Sequence, residues 1–382
     1  MKWYQWKNFW SNKNSQKFGN LLKRSNRQYC RTERYQNTSI INEFKFCDMK
    51  RNIFLSTILL FCILTTSIPS SGQSKIQDLN DIHIRDPYIL ADTETHTYYM
   101  YASKSNRTNT VLGVEVYKSR NLQNWEGPLS VFTINPDFWG NQKVWAPEVH
   151  EYKGKYYLFV TFTSDKKLKQ IEGRPEIVNR ASQILVSDSP EGPFVPFANK
   201  PHTPEEWMAL DGTLWVEKGT PYLIFCREWI QVTDGTIELV KLKKDLSAPV
   251  GKPKTLFTAS QAKWVKSLGD VGVTYENKIK HGYITDGPFL YRTKTGKLLM
   301  IWSSFGAEKY AVGLAESESG SIKGPWKVIQ EPLFKANGGH GMIFKTFDGQ
   351  LKLALHQPNN NPLERARFFD LEDTGDLLRI KE

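Results

Sequence analysis

The stretch WAPEVHEYKGKYYLFVTFTS, residues 145–164, contains the pattern from which the fold follows. A short apolar strand leads into the turn Lys-Gly-Lys, and a second, strongly apolar strand follows, as in a β-hairpin. Gly154 provides a turn position at which a positive φ angle is easily adopted. The stretch therefore predicts two adjacent antiparallel strands.

Four other segments repeat this pattern along the chain. They are IRDPYILADTETHTYYMYAS (84–103), ALDGTLWVEKGTPYLIFCRE (209–228), TDGPFLYRTKTGKLLMIWSS (285–304) and GHGMIFKTFDGQLKLALHQP (339–358). The five starts are 54 to 76 residues apart, which leaves room for a four-stranded unit with variable loops. Gly-Pro and Gly-Lys-Pro turns recur between the hairpins, where an edge strand tolerates proline.

Five such units, with no amphipathic helix between them, predict an all-β fold, a five-bladed β-propeller. The alternative is a β-sandwich whose hairpins resemble one another by chance. Sandwich strands follow at closer spacing, about 8–12 residues, without a repeat of this length. The long repeat therefore favours the propeller.

The first 72 residues differ from the rest in charge and hydropathy. Residues 1–48 carry ten Lys/Arg against three Asp/Glu. Residues 49–72, MKRNIFLSTILLFCILTTSIPSSG, combine a basic start, an apolar run and small residues, and so predict a signal peptide. We interpret residues 1–48 as lying upstream of the true translation start. The alternatives are a disordered basic arm for that segment and an uncleaved anchor for 49–72.

The remainder, residues 73–382, is expected to form the mature propeller domain, secreted or periplasmic, with no stable membrane insertion after signal cleavage. Its 39 Lys/Arg and 37 Asp/Glu nearly balance, which argues against nucleic acid as a partner. Cys226 is its one cysteine, so neither an intrachain disulfide nor a multi-cysteine zinc site is expected.

Polar side chains open the five hairpins. In a propeller the first strand of each blade lines the central channel, so residues at the strand starts converge on one channel mouth. These openings carry Asp86, Glu148, Asp211, Asp286 and His340. Carboxyl groups held close together have pKa values that move apart. Glycoside hydrolysis needs such a pair, one ionised to activate water and one protonated to assist the leaving group.

At these residues the sequence resembles glycoside hydrolase family 43, the five-bladed propeller arabinofuranosidases and xylosidases, over about residues 83–380. IRDPYIL resembles the first-blade motif, which implies that Asp86 is the general base. ALDGTLWVEKG resembles the third-blade motif, which implies that Asp211 orients the acid and tunes its pKa. TDGPFLYRTKTG resembles the motif that normally reads Glu-Gly-Pro, which implies that Asp286 is the general acid.

The aspartate at position 286 departs from the family pattern. Its side chain is one methylene shorter than glutamate, so its carboxyl is expected to lie about 1 Å farther from the glycosidic oxygen, a displacement that can be costly in rate. Glu228 is therefore kept as an alternative general acid, and Glu148 as a further one.

The expected substrate-binding residues are Trp145, Glu148, Arg227, Glu228 and His340. Trp145 offers an aromatic face on which a sugar ring can stack, and Arg227 offers donors for sugar hydroxyls. GGHGMIF resembles the family's channel histidine motif, which often lies near a calcium ion. A structural calcium in the channel is thus an open expectation, although no cofactor is required and no protein metal ligands are predicted.

The sequence thus predicts a secreted glycosidase that cleaves arabinofuranosyl or xylosyl linkages in oligosaccharides or polysaccharides. The resemblance implies an inverting mechanism, with the carboxyl groups of Asp86 and Asp286 roughly 6.5–9.5 Å apart. Two alternatives remain: a non-catalytic carbohydrate-binding propeller, and a glycoside phosphorylase, which would need a basic phosphate pocket beside the acids.

Overall fold

The structure is a computed structural model that describes residues 75–104, 112–275, 278–279 and 281–381. The extension predicted at 1–48 and the signal peptide predicted at 49–72 lie outside the described residues.

Five antiparallel sheets follow one another along the chain, one per predicted repeat, and we call them blades I to V. The strands of blades I and II are β1 (Ile76–Asp78), β2 (Tyr88–Asp92), β3 (Thr97–Lys104), β4 (Gly113–Ser119), β5 (Asn124–Thr133), β6 (Lys143–Tyr152), β7 (Lys155–Lys167), β8 (Val178–Ser187) and β9 (Val195–Pro196). Those of blade III are β10 (Ala209–Glu217), β11 (Thr220–Arg227), β12 (Thr236–Leu242) and β13 (Pro249–Thr258).

A two-stranded ribbon, β14 (Thr274–Tyr275) with β15 (Lys278–Ile279), precedes blade IV. Blades IV and V consist of β16 (Asp286–Arg292), β17 (Leu298–Phe305), β18 (Tyr310–Ser317), β19 (Trp326–Val328), β20 (Gly339–Lys345), β21 (Leu351–Gln357), β22 (Arg365–Asp373) and β23 (Leu378–Ile380). The first strands β2, β6, β10, β16 and β20 each contact the first strands of both neighbouring blades. They therefore form a closed inner ring, and the predicted five-bladed propeller is confirmed.

Tight turns set the register of the inner hairpins. Lys153 and Gly154 have φ angles of 53° and 73° between β6 and β7, and Lys218 and Gly219 have 49° and 73° between β10 and β11. Two successive positive φ angles define the two-residue turn whose twist matches that of paired strands. The Lys-Gly pairs quoted from the sequence therefore serve as hairpin turns.

The core consists of apolar layers between neighbouring blades. Met300 of β17 packs in one cluster with Ile224 of β11, whereas the next residue, Ile301, packs in another cluster with Leu353 of β21. Successive side chains on a strand point to opposite faces, so each blade has two apolar faces, one toward each neighbour. This arrangement explains why the second strands are apolar throughout rather than alternating.

The ring closes between blades V and I by contacts and not by a shared strand, because β1 pairs with β5 inside blade I. The Ile84 N–H donates to the Glu364 carbonyl at 3.4 Å across this boundary. Nearby, the Tyr98 and Phe347 rings stack at 4.1 Å between centroids.

The described part of the chain has three short helical segments, α1 (Trp229–Val232) and single 3₁₀ turns at Leu79–Asp81 and Ala259–Gln261. None of them has the length and apolar character needed to cross a membrane.

Candidate active site

Each first strand has one residue with a positive φ angle, either just before the strand or within its first four residues. These residues are Asp86, Ala146, Asp211, Gly287 and His340, with φ angles between 45° and 56°, and each is followed by proline or glycine. Non-glycine residues adopt this conformation infrequently, and such residues concentrate at functional sites. The five blades therefore share one distinctive backbone geometry at their inner openings.

This geometry revises the expected correspondence of the openings. Asp86, Asp211 and His340 occupy equivalent positions in their blades. In blade II the equivalent residue is Ala146, with Glu148 two residues later, and in blade IV it is Gly287, one residue after Asp286. The polar residues of the repeat suggest that Glu148 and Asp286 are the equivalents of Asp86. The backbone shows instead that the equivalent residues, those with a positive φ angle, are Ala146 and Gly287.

His340 lies between two of the predicted catalytic carboxylates. Its Nδ1 atom is 3.4 Å from Asp86 Oδ1 and 3.6 Å from Asp211 Oδ2. The Asp86 side chain is 11% exposed and that of Asp211 is 5% exposed, so Asp86 is the more accessible of the two. Three residues from blades I, III and V, more than a hundred positions apart in sequence, thus meet in one place.

Asp286 joins this group through blade IV. It is the first residue of β16, is partly exposed, and accepts a hydrogen bond from the Tyr310 hydroxyl at 2.7 Å on Oδ2. The N–H of the following residue, Gly287, donates to Asp211 Oδ2 at 3.0 Å. We call Asp86, Asp211, Asp286 and His340 the acid cluster.

Burial and neighbouring charges separate the pKa values within the acid cluster. Burial opposes ionisation of Asp86, yet the charges of His340 and Arg85 hold its pKa well below the ordinary value. Burial raises the pKa of Asp211 to about 8; His340 opposes this shift, and the charges of Asp286 and Asp86 add to it. The pKa values of these two neighbouring carboxyl groups thus move in opposite directions, with Asp86 ionised and Asp211 inclined to keep its proton.

The charges around His340 favour its protonated form. Burial lowers the pKa of its imidazole, but the surrounding negative charges outweigh burial and raise it overall, chiefly those of Asp86, Asp211 and Asp286. A protonated imidazole beside Asp86 compensates part of that carboxylate's negative charge.

One oxygen of Asp86 is enclosed by nitrogen atoms. Its Oδ1 lies 3.1 Å from His356 Nδ1, 3.4 Å from His340 Nδ1 and 3.6 Å from Arg85 Nε. This oxygen is buried and makes no hydrogen bond of good geometry within the described residues. His356 is fully buried, and its Nε2 lies 3.1 Å from Asn359 Oδ1. Arg85 donates to that Asn359 oxygen at 2.9 Å.

The same backbone contact recurs between consecutive blades. The N–H groups of Asp211 and His340 each donate at 2.8 Å to a hydroxyl on the second strand of the preceding blade, Thr161 and Ser303 respectively. In blade I the Asp86 N–H approaches His356 Nδ1 at 3.4 Å in the corresponding way. His356 was not predicted from the sequence, although the repeat alignment places it near the positions of Thr161 and Ser303.

A buried ion pair supports Trp145. The Arg180 guanidinium lies 4.2 Å from the centre of the Trp145 ring and contacts Glu228 Oε2. It also donates through Nε to Thr163 Oγ1 at 3.2 Å. Arg180 is 2% exposed and was not among the predicted site residues, because it follows a loop without a recognisable motif.

Glu228, the alternative general acid, is thus committed to a guanidinium. A carboxylate in this position accepts hydrogen bonds rather than delivering a proton to a substrate.

The other two predicted substrate-binding residues have partners within the protein. Glu148 Oε2 lies 2.9 Å from His150 Nε2. The Arg227 guanidinium stacks on Trp207 at 4.0 Å and donates to Gln231 at 3.1 Å.

The calcium expected in the channel stays a prediction. Within the described residues, no group of three or more His, Cys, Asp or Glu side chains is arranged to hold a metal ion. His340 Nδ1 faces two carboxylates, so Nε2 is the ring nitrogen left to meet a ligand. A single nitrogen donor is a poor match for Ca²⁺, which takes six to eight oxygen ligands. The side chains present do not form a calcium cage, and no catalytic step is assigned to a metal.

Comparison with known proteins agrees with this architecture. The model of the Glycosyl hydrolases family 43 matches residues 81–374. The solved structure of an endo-arabinase from Bacteroides thetaiotaomicron VPI-5482 is 41% identical, with a TM-score of 0.66 over 77% of this chain and 96% of that one. An α-L-arabinofuranosidase from Lactobacillus brevis, 20% identical, shares the fold with a TM-score of 0.59 over 76% of this chain and 90% of that one.

A curated relative is similar over a shorter stretch. The extracellular endo-α-(1→5)-L-arabinanase 1 of Bacillus subtilis (strain 168) is 28% identical over 212 residues, which are 53% of this chain. The chain spans 59% of that relative's length. The family model covers most of the chain, including the whole acid cluster, and the chain therefore belongs to glycosyl hydrolase family 43.

Proposed function

We propose that this protein is a secreted, inverting endo-arabinanase that hydrolyses α-1,5 linkages between L-arabinofuranosyl units. The acid cluster carries the proposal, because it combines an ionised, accessible Asp86 with a recessed Asp211 and a partly exposed Asp286. The choice of arabinan is supported by the 41% identity to an endo-arabinase along nearly its whole length. Secretion is supported by the predicted signal peptide at 49–72 and by the extracellular curated relative.

In the proposed reaction Asp86 acts as the general base. It takes a proton from water as the water oxygen attacks the anomeric carbon from the face opposite the leaving sugar. The C–O bond to the leaving sugar breaks, and Asp286 gives its proton to that oxygen. Asp211 and His340 lie beside both groups and set their charge states. The Oδ1 atom of Asp86 is buried and faces His340 and the Arg85 guanidinium, so we assign Oδ2 to the water.

The two alternatives are less well supported. A phosphorylase needs a basic pocket for phosphate beside the acids, but Arg227 is stacked on Trp207 and bonded to Gln231. Arg85, the guanidinium beside Asp86, is engaged by Asp86, Asn359 and Glu364. A non-catalytic propeller would have no need of two neighbouring buried carboxyl groups whose pKa values are shifted in opposite directions.

The test is hydrolysis of linear arabinan, arabinoxylan, xylan and galactan by the purified protein, with the product anomer followed by proton NMR. We expect cleavage of linear arabinan to oligosaccharides and first products of inverted anomeric configuration. Retained configuration would refute the inverting mechanism. Cleavage of xylan in preference to arabinan would refute the substrate, and calorimetric sugar binding without turnover would show a binding protein.

A further inference from the structure

Tyr310 makes a direct contact with the proposed general acid. It is the first residue of β18 and is 1% exposed. Its hydroxyl donates to Asp286 Oδ2 at 2.7 Å, the usual distance for a well-formed hydroxyl hydrogen bond. The sequence does not predict this contact, because Tyr310 lies on the third strand of its blade and Asp286 on the first.

The surroundings of Tyr310 fix the direction of its hydroxyl. Its ring stacks on the imidazole of His356, with 5.8 Å between centroids and an angle of 17° between planes. Phe305 packs against it at 5.1 Å. On another side lies Gly339, where a Cβ atom would come within 2.3 Å of the ring. Only glycine at position 339 therefore leaves room for the ring, and the hydroxyl has little freedom to turn away from Asp286.

The hydroxyl remains a donor across the working pH range. Burial raises the pKa of Tyr310 well above its ordinary value, and the charge of Asp286 raises it further. Because Oδ2 of Asp286 is occupied by this donor, a proton carried by the carboxyl group resides on the other oxygen, Oδ1.

We propose that Tyr310 is a positioning residue for Asp286: it anchors Oδ2 and thereby directs the protonated Oδ1 toward the leaving-group oxygen. The inference rests on the proposed function, in which Asp286 is the general acid. The hydrogen bond also explains how the shorter aspartate can serve at this position. An anchored carboxyl group spends less time in unproductive orientations than one that rotates freely.

Other charged groups also act on Asp286. They are Arg85, Asp211 and His340, all of which interact with it electrostatically. Replacing Tyr310 by phenylalanine leaves these groups and the aromatic stack in place and removes a single hydrogen bond. The variant thus isolates the contribution of the hydroxyl.

The experiment compares Tyr310→Phe with wild type on two substrates. One is an arabino-oligosaccharide, whose leaving sugar needs a proton, and the other is a 4-nitrophenyl arabino-oligosaccharide, whose phenolate leaves with little assistance. We expect kcat to fall by about 10- to 100-fold on the first substrate and by less than about threefold on the second. A loss of equal size on both substrates would overturn the inference, because it would mean a general structural effect.

The chain offers a matched control in Tyr291→Phe. Tyr291 donates to Asp373 Oδ2 at 3.0 Å, so the substitution removes the same kind of hydrogen bond from a pair that does not interact with the acid cluster. In this variant we expect the ratio of kcat on the arabino-oligosaccharide to kcat on the 4-nitrophenyl substrate to equal that of the wild type. The same substrate discrimination in both variants would contradict a specific role for Tyr310.

A second readout does not depend on turnover. With ¹³C-labelled aspartate, NMR follows the titration of the Asp286 carboxyl group, assigned by comparison with Asp286→Asn. Because the hydrogen bond favours the ionised carboxylate, its loss is expected to move the Asp286 titration to higher pH, and the alkaline limb of the kcat/KM profile moves up with it. An unchanged titration in Tyr310→Phe overturns the inference even if the wild-type protein proves inactive on arabinan, a result that by itself would refute the proposed function.

Discussion

Replacing Glu228 by glutamine tests the ion pair beneath Trp145. Glu228 and Arg180 are 7% and 2% exposed, and they are in direct contact. Glutamine keeps the size of the side chain and one acceptor oxygen but removes the negative charge. Arg180 would then remain buried with a hydrogen bond to Thr163 and the face of Trp145 as its compensation.

The expected loss of stability is large. Removing one partner of a buried ion pair costs about 3–5 kcal/mol, because the remaining charge is left uncompensated. The amide oxygen of glutamine still accepts from Arg180, which places the cost near the lower end, at about 3 kcal/mol. For a domain of this size we expect the melting temperature to fall by about 6 °C.

The assay is urea unfolding of Glu228→Gln followed by circular dichroism, with Glu238→Gln as the matched control. Glu238 is a second buried glutamate of blade III, 2% exposed, but its Oε1 accepts from the hydroxyls of Thr236 and Thr255 and not from a guanidinium. Burial raises the pKa of Glu238. A neutral glutamine is therefore expected to cost less than about 1 kcal/mol there.

Two results would refute the reasoning. If both variants unfold within about 1 kcal/mol of each other, the ion pair does not supply the stability assigned to it. If Glu228→Gln unfolds like wild type but loses hydrolysis of sugar-leaving substrates and retains that of 4-nitrophenyl substrates, Glu228 is the general acid and Asp286 is not. The expected pattern is reduced stability, with hydrolysis still measurable at temperatures where the variant is folded.

Further predictions concern the acid cluster and the buried thiol. Asp86→Asn is expected to lower kcat on arabinan by about 10²–10⁴-fold with an unchanged near-UV spectrum, and wild-type turnover would remove Asp86 from the mechanism. Asp211→Asn is expected to gain stability relative to wild type as pH rises from 5 to 8. Folded Asp211 holds its proton up to about pH 8, whereas the unfolded chain releases it near pH 4. The free energy of unfolding of the wild type therefore falls by up to about 1.4 kcal/mol per pH unit between pH 4 and pH 8. An equal difference between the urea midpoints of the variant and the wild type at pH 5 and at pH 8 would contradict this shift. Cys226 is fully buried and burial raises its thiol pKa well above the ordinary value, so mass spectrometry should find it alkylated only after unfolding, and labelling of the folded protein would contradict its burial.

The architecture could be predicted because its signals are local. A hairpin is specified by the turn and by about ten residues on either side, as at Lys153-Gly154, and five copies of one local signal left few other arrangements. The convergence of Asp86, Asp211 and His340 followed from the propeller itself, since strand starts meet wherever the first strands form a ring.

The remaining parts of the site depend on contacts between residues on different strands or blades, for which the sequence has no local signal. Tyr310 contacts Asp286 within one blade, but only because the third strand begins beside the start of the first. Arg180 reaches Trp145 across blade II and Glu228 in blade III. The distinction between Ala146 and Glu148 as the repeated position depends on a φ angle, which polar residue patterns do not encode.

The repeated backbone contact explains how the fold and the proposed chemistry are linked. Asp86 lies at the boundary where the chain closes the ring, and its N–H approaches His356 as the N–H groups of Asp211 and His340 approach Thr161 and Ser303. At the boundaries before blades III and V this position is a hydroxyl, Thr161 or Ser303, which accepts the backbone N–H. At the closing boundary it is an imidazole, whose Nδ1 also lies 3.1 Å from the Asp86 carboxylate and whose ring supports Tyr310. Closure of the propeller therefore brings the proposed base and the anchor of the proposed acid into contact with the same side chain, so that a ring not fully closed would lose the placement of both.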